Sequence, residues 1–402
     1  MIPMPNSLDR LFDDALHRGL FSAASLLVAG PSGIAFERTW GTTRRGGPPV
    51  TPETGFDLAS LTKPMATASL YLWETAAGRL DLEDPLARFF PRRLLSRSTA
   101  DIRLRHLLSH SSGLPAYRPY FRELIHAPPE TRRERLACCI LSEETEAPPG
   151  RRSRYSDLGY ILLGFILEDC GGRSLDDAAS EFFRIAGCRD QLGYRQFPPP
   201  ERAESVPERA RNERDRWVAT EQCSWRNRLL QGEVHDENAF CLGGVAGHAG
   251  LFGTARSVWL WLARLWRWYR GEGAGAGSLG DGMRRFWTRQ TTREDNRWTL
   301  GFDTPSDTGS STGGRFSERT VGHLGFTGTS FWLDLEQEIA VILLTNRVHP
   351  SRYDERIRTF RPLVHDSVMA AWNADRPAHA RPETAKSPAT DGGIFRTSRA
   401  EP

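Results

Sequence analysis

Phe56-Asp57-Leu58-Ala59-Ser60-Leu61-Thr62-Lys63 is the stretch whose reading decides the fold. The 402-residue chain holds 53 lysines and arginines together, and only Lys63 and Lys386 are lysines. Lys386 falls in a segment rich in Pro, Ala, Arg and Thr, so Lys63 is the one lysine of the globular part. Arginine cannot give up its proton in a protein, whereas a lysine beside a hydroxyl can be tuned to act as a base. The Ser-x-x-Lys spacing places hydroxyl and amine on one face of a helix. Ser60 therefore reads as a nucleophile and Lys63 as its activating amine, against the plainer reading of codon usage. Pro64 is tolerated in a first helical turn, which sets Ser60 at or near a helix start. Free N–H groups there favour an oxyanion. The helical pattern runs from Ser60 to Ala77 and stops at Gly78.

Outward from this stretch, residues 7 to 19 form an amphipathic helix, with Leu8, Leu11, Phe12, Ala15 and Leu16 on one face. Ala23 to Ala29 and Ile34 to Trp40 are strands joined by the turn Gly30-Pro31-Ser32-Gly33. Residues 80 to 240 read mainly as helices and loops, with apolar stretches at Leu104 to Leu108, Leu136 to Leu141 and Tyr160 to Leu167. Pro- and charge-rich residues 198 to 216 read as an exposed connection. A helix spans about Thr254 to Tyr269. Strands return at Thr329 to Leu333 and Glu338 to Leu344, and a last helix runs from about Tyr353 to Trp372. Residues 376 to 402 are expected to be disordered. The pattern predicts an α/β (α+β) fold. Residues 1–60 and 243–375 would supply one antiparallel sheet flanked by helices, and residues 61–242 an inserted, mainly helical domain.

Three further segments carry chemistry-bearing residues. Tyr155-Ser156-Asp157 precedes an apolar helix. Tyr155 would relay a proton if nearby cations lowered its pKa, and Asp157 reads either as a cleft acid or as a helix N-cap. His323-Leu324-Gly325-Phe326-Thr327-Gly328 leads into the late strand, where glycines let backbone N–H groups approach a ligand. An ordinary histidine in a β-turn is the alternative. His106 and His110 stand four apart in His106-Leu107-Leu108-Ser109-His110-Ser111-Ser112-Gly113-Leu114, without the acid of a His-Glu-x-x-His site, and read as structural residues at a helix end.

In this order the segments resemble the serine β-lactamase and penicillin-binding protein superfamily. The resemblance is to its class C β-lactamase-like branch, with its family VIII esterases and D-alanyl-D-alanine peptidase relatives. It covers roughly Leu20 to Trp372, and includes Leu107 to Leu114 and Gly243 to Phe252. It implies a β-lactamase/transpeptidase-like fold and a serine hydrolase working through an acyl-enzyme. Ser60 would be acylated, Lys63 its base and Tyr155 a proton shuttle. Asp157, His323 and Gly325 would meet the substrate, and the N–H groups of Ser60 and Phe326 would form the oxyanion hole. Asp157 stands where the family has asparagine, and His323 where it has lysine. Both changes point away from an efficient β-lactamase and toward an esterase, amidase or peptidase. The implied substrate is a small ester, amide or D-amino-acid peptide, with no metal and no organic cofactor. A D-alanyl-D-alanine carboxypeptidase or β-lactam-binding protein is the alternative within enzymes. A catalytically silent binding protein on the same scaffold is the alternative outside them.

A net charge of +3, spread along the chain, argues against a nucleic-acid surface. None of Cys138, Cys139, Cys170, Cys188, Cys223 and Cys241 shows Cys-x-x-Cys spacing. Buried free thiols, a reducing compartment and a cytoplasmic protein without a secretory signal or membrane span are expected. In the tryptophan-rich helix, Trp259, Leu262 and Trp266 are expected to pack inward. Trp261 and Trp268 would cover a loop or a partner, a membrane-surface role being the alternative.

Overall fold

The computed structural model describes residues 4–188, 192–195, 213–290 and 297–375. The expected disordered tail and most of the expected connection at 198 to 216 lie outside the described residues.

The main sheet is built from β1 (Ala23–Gly30), β2 (Gly33–Gly41), β8 (Thr320–Leu324), β9 (Ser330–Asp334) and β10 (Ile339–Thr345). These five antiparallel strands lie in the order β2-β1-β10-β9-β8. The early hairpin thus meets the late strands through β1 and β10, with Ala24 opposite Thr345 and Ala29 opposite Ala340. Every residue of β1 is buried. That is why its sequence, Ala-Ala-Ser-Leu-Leu-Val-Ala-Gly, shows no polar alternation: a strand covered on both faces reads as a continuous apolar run.

The period of two survives in what each residue touches. Ala23, Leu27 and Ala29 of β1 join Ala340, Ile342 and Leu344 of β10 in one large core. Ala24, Leu26 and Val28 join Ile339, Val341 and Leu343 in a second core on the other face. Two helices from opposite ends of the chain close that second core. Asn6–His17 contributes Leu8, Phe12 and Ala15, and Ile357–Asp375 contributes Phe360, Val364, Val368 and Trp372. The chain therefore forms helix, sheet and helix layers, each sheet face sealed by an apolar helix stripe.

The larger core continues through Ala255–Tyr269, Asp157–Gly171 and Leu175–Ala186. Trp259, Trp261, Trp266 and Trp268 are all buried; Trp268 covers the loop beyond the helix as expected, its Nε1–H donating to the Ala274 carbonyl at 3.1 Å, whereas Trp261 enters the core instead of covering a loop or partner. Trp261 lies parallel to Phe302 and edge-on to Phe331, and its Nε1–H reaches Ser69 Oγ at 3.0 Å. A helix lodged between a sheet and further helices needs apolar residues on nearly every side. Among the described residues no helix is long and apolar enough to cross a membrane.

Two smaller sheets lie in the middle of the chain. One joins β3 (Phe56–Asp57), β7 (Leu251–Gly253) and β4 (Leu192–Tyr194) in that order; the other pairs β5 (Ala219–Cys223) with β6 (Arg228–Gln231). All six cysteines are free thiols. Cys188, Cys223 and Cys241 are buried as expected, Cys138 and Cys139 are half-buried, and Cys170 is exposed.

Candidate active site

The site begins where β3 ends. Asp57 pairs with Phe252 of β7, and its buried carboxylate accepts the N–H of Ala59 at 2.8 Å and of His235 at 2.7 Å. These bonds hold Ala59 at φ 47°, a left-handed conformation that is costly for alanine. The strain sits immediately before Ser60, in a single 3₁₀ turn, Ala59–Leu61. The next turn, Lys63–Ala68, is a π-helical widening rather than the expected α-helix, and the regular α-helix begins only at Ser69. Ser69 Oγ–H donates back to the Pro64 carbonyl at 3.0 Å, five residues earlier. Such widened turns cost helix geometry and recur where a side chain must be aimed.

Lys63 is fully buried. Its Nζ donates to Ser60 Oγ at 3.0 Å and to the His248 carbonyl at 3.1 Å, and stands 2.6 Å from Asp157 Oδ1. It also lies over the Tyr155 ring, 4.8 Å from the centroid. Burial lowers its pKa below the ordinary lysine value, and Asp157 opposes that shift. The His248 carbonyl comes from the glycine-rich run at 243–252. Thr67 Oγ1–H anchors this run at the Gly247 carbonyl, 2.6 Å away. A Cβ on Gly247 would lie 2.1 Å from the Tyr160 carbonyl, so only glycine lets the loop press onto the helix Asp157–Gly171.

Tyr155 Oη–H donates to Ser60 Oγ at 2.7 Å. The condition set from sequence, a tyrosine pKa lowered by nearby cations, is not met. Burial, aided by the Asp157 charge, raises it well above the usual value, so Tyr155 is a neutral donor. His110, read from sequence only as a helix-end residue, brackets this tyrosine. Its carbonyl accepts Arg154 N–H at 2.8 Å and its Nδ1 accepts Ser156 N–H at 3.2 Å. Its ring lies 4.6 Å from that of Tyr155, and its own φ is 54°. His106 does serve at a helix end, where its Nδ1 accepts the N–H of Arg103 at 3.2 Å. Asp157 is not the N-cap: Ser156 holds that position, and the Asp157 carboxylate turns to Lys63.

The opposite wall is the end of β8 and the loop beyond it. His323 is buried, and its Nδ1 lies 2.8 Å from the Leu324 carbonyl, so Nδ1 carries the hydrogen. Its Nε2 has no hydrogen-bond partner among the described residues. Burial, reinforced by the Lys63 charge, pushes the His323 pKa down to about 3, so the ring is neutral. A Cβ on Gly325 would lie 2.0 Å from Thr329 Oγ1 and 2.7 Å from the Leu58 carbonyl. Phe326 is half exposed at the mouth. Two buried arginines set into this wall carry no obvious sequence signal. Arg347 Nε donates to the Phe326 carbonyl at 2.7 Å, and its guanidinium covers the Phe326 ring. Arg361 Nη2 reaches the carbonyls of Gly325 and Thr329 at 3.1 and 3.0 Å.

Ser60, Tyr155, Asp157, His323, Gly325 and Phe326 all line one cleft of about 640 Å³. Lys63 lies beneath its floor. The cleft also takes in Tyr117, Trp298 and the acid-base cluster around Arg352. Arg352 bonds Glu221 and Glu237, and Glu221 is 3.0 Å from His235 Nε2. These partners hold the Glu221 pKa down at about 2 against the effect of burial. The cluster draws on three segments, around Glu221, His235–Glu237 and Arg352, so no local motif announced it.

Comparison with known proteins agrees with this architecture. The chain matches the family model described as Beta-lactamase over residues 8–366. It is 29% identical over 367 residues to a protein of Escherichia coli (strain K12) named "Putative D-alanyl-D-alanine carboxypeptidase", covering 86% of this chain and 82% of that protein. Among solved structures it resembles "EstCE1, a hydrolase with promiscuous acyltransferase activity" (TM-score 0.68, 19% identity, covering 90% of this chain and 98% of the other). It also resembles a class C beta lactamase from Rhodobacter sphaeroides (TM-score 0.63, 18% identity, covering 90% and 99%). At such identities the structural likeness speaks for the fold, which is the β-lactamase/transpeptidase-like α/β fold. With the family model spanning nearly all of the described chain, this protein belongs to the Beta-lactamase family of hydrolases.

Proposed function

We propose that this protein is a serine hydrolase that forms an acyl-enzyme on Ser60 from a small ester or amide. One observation carries the reading: Ser60 Oγ lies 3.0 Å from a fully buried lysine amine and 2.7 Å from a neutral tyrosine hydroxyl. A serine hydroxyl is a weak nucleophile until a base takes its proton. In its unprotonated form Lys63 accepts that proton as the bond from Oγ to the substrate carbonyl carbon forms. Tyr155 passes its phenolic proton to the leaving group as the scissile bond breaks, and recovers one from Lys63. Water then attacks the acyl carbon, the ester bond to Oγ breaks, and Ser60 regains its proton. The backbone N–H groups of Ser60 and Phe326 serve the oxyanion. The experiment is hydrolysis of a short-chain p-nitrophenyl ester by wild type, Ser60→Ala and Lys63→Arg. Loss in both variants is expected. Retained activity in Ser60→Ala would remove Ser60 as nucleophile, and absence of covalent labelling at Ser60 would favour a silent binding protein.

A D-alanyl-D-alanine carboxypeptidase is the second reading, favoured by Arg361. This arginine lines the cleft and is buried, and its Nε has no hydrogen-bond partner among the described residues. Burial, with the Arg347 charge adding, disfavours its charged form. A substrate carboxylate would supply a counter-charge. The name of the E. coli relative points the same way. Release of D-alanine from a D-alanyl-D-alanine peptide tests it.

A further inference from the structure

Asp157 is the residue whose type departs from the asparagine of the resembled motif, and its position gives the departure a physical meaning. Its carboxylate does not cap its own helix, although the helix begins there. Instead Oδ1 stands 2.6 Å from Lys63 Nζ, with the lysine side chain fully buried and the aspartate side chain 18% exposed. Other ionisable groups face Lys63 from every element around it. Tyr160 shares the helix of Asp157, and Tyr155 lies in the loop before it. His110 and His323 are both neutral through burial. Asp236 acts from beyond the glycine-rich loop, but its Oδ1 is occupied by His248 Nε2 at 2.8 Å and by Ala239 N–H at 2.7 Å. Among the described residues, Asp157 is thus the carboxylate within ion-pair distance of the amine.

We propose that Asp157 acts on the reaction through Lys63: it holds the proton of the buried amine as an ion pair, and so sets the pH at which Lys63 becomes free to take the Ser60 proton. The proposal rests on the serine-hydrolase reading and makes Asp157 a positioning residue for the base, with contact to substrate secondary. The physical argument is a competition. Burial disfavours an ammonium, while an anion in contact favours it. An amide at position 157 would leave burial opposed only by the more distant Asp236, and the amine would lose its proton at lower pH. Since acylation needs the unprotonated amine, the acidic limb of the pH–rate profile should move the same way. The proton count is unchanged. The proton leaving Ser60 Oγ goes to Nζ, where the carboxylate steadies the charge until Tyr155 is reprotonated.

This chain allows a direct test, because Lys63 and Lys386 are its only lysines. In a Lys386→Arg background, ¹³Cε-lysine labelling gives a single resonance, that of Lys63, whose shift reports protonation. With Asp157→Asn the titration midpoint is expected to fall by about one to three pH units, the range for removing a contacting opposite charge. The acidic limb of kcat/KM for a p-nitrophenyl ester should fall alongside it, and Asp157→Glu should restore both. An unmoved midpoint in a folded Asp157→Asn chain, whether or not KM rises, would overturn the proposal. If Asp157→Asn does not fold, Asp157→Ser and Asp157→Glu supply the same comparison of anion lost with anion kept. The resonance reads Lys63 independently of turnover. Failure of the hydrolase reading would appear instead as activity surviving Ser60→Ala.

Discussion

The two walls of the cleft are built by opposite means. On the helix side, Ser60, Lys63, Tyr155 and Asp157, to which we assign the giving, taking or holding of a proton, present side chains locked together by polar contacts. On the strand side, His323 is neutral and the wall is mostly main chain, fixed by the close packing of Gly325 and by two arginines gripping carbonyls. Moving protons requires groups whose charge can change, and such groups must be individually positioned and partly desolvated. Holding an oxyanion requires donors that never change, which the backbone supplies once its path is set. Damage to the first wall should therefore appear in the chemical step, and damage to the second in geometry and stability.

The largest effect should come from the proton wall. Ser60→Ala and Lys63→Arg are each expected to lower kcat/KM by at least about a thousandfold, as for other members of catalytic units. Steady-state ester hydrolysis reads this, and a Lys63→Arg enzyme of near-normal rate would break the contrast. Tyr155→Phe removes a neutral proton donor and should cost about a hundredfold or more in kcat with little change in KM. On the backbone wall, Gly325→Ala places a methyl 2.0 Å from Thr329 Oγ1. It should lower urea-measured stability by about 1–3 kcal/mol, together with activity. His110 sharpens the comparison because it serves the proton wall from behind. His110→Ala should lose about tenfold in kcat, while His110→Asn, which tolerates a left-handed φ and keeps an acceptor, should lose less. The smallest effect is expected from His323→Gln. With the histidine pKa at about 3, the ring protonates only as pH falls toward that value. The pH–rate profile from about pH 5 to 9 should therefore keep its shape.

The same division explains what was legible in the sequence. The proton wall was visible because its parts are rare residues at fixed spacing: a solitary lysine three after a serine, and a tyrosine two before an acid. The sheet was visible because β1 and β10 are continuous apolar runs. The π-helical turn at Lys63–Ala68 was not, since Pro64 fits an α-helical first turn equally well. Whether cations would lower the Tyr155 pKa was open in the sequence, because how deeply a side chain is desolvated is a property of the assembled cleft. Arg347 and Arg361 were two of many arginines, distinguished only by the carbonyls they meet. The β5–β6 ribbon was passed over because Ala219–Cys223 and Arg228–Gln231 carry polar and charged residues among their few apolar ones.

One contact beside the main sheet bears on how this molecule is made. At the junction of β1 with β10, the Asn346 side chain accepts the N–H of Ser22 at 3.0 Å, from a residue 324 positions away in sequence. Ser60 emerges from the ribosome early and His323 late, so the two sides of the cleft cannot meet until most of the chain has been synthesised. Non-local closure of this kind is slow and leaves the apolar hairpin without its partner strand meanwhile. The nascent protein should thus be catalytically inert, and most dependent on chaperones, until translation has passed β10.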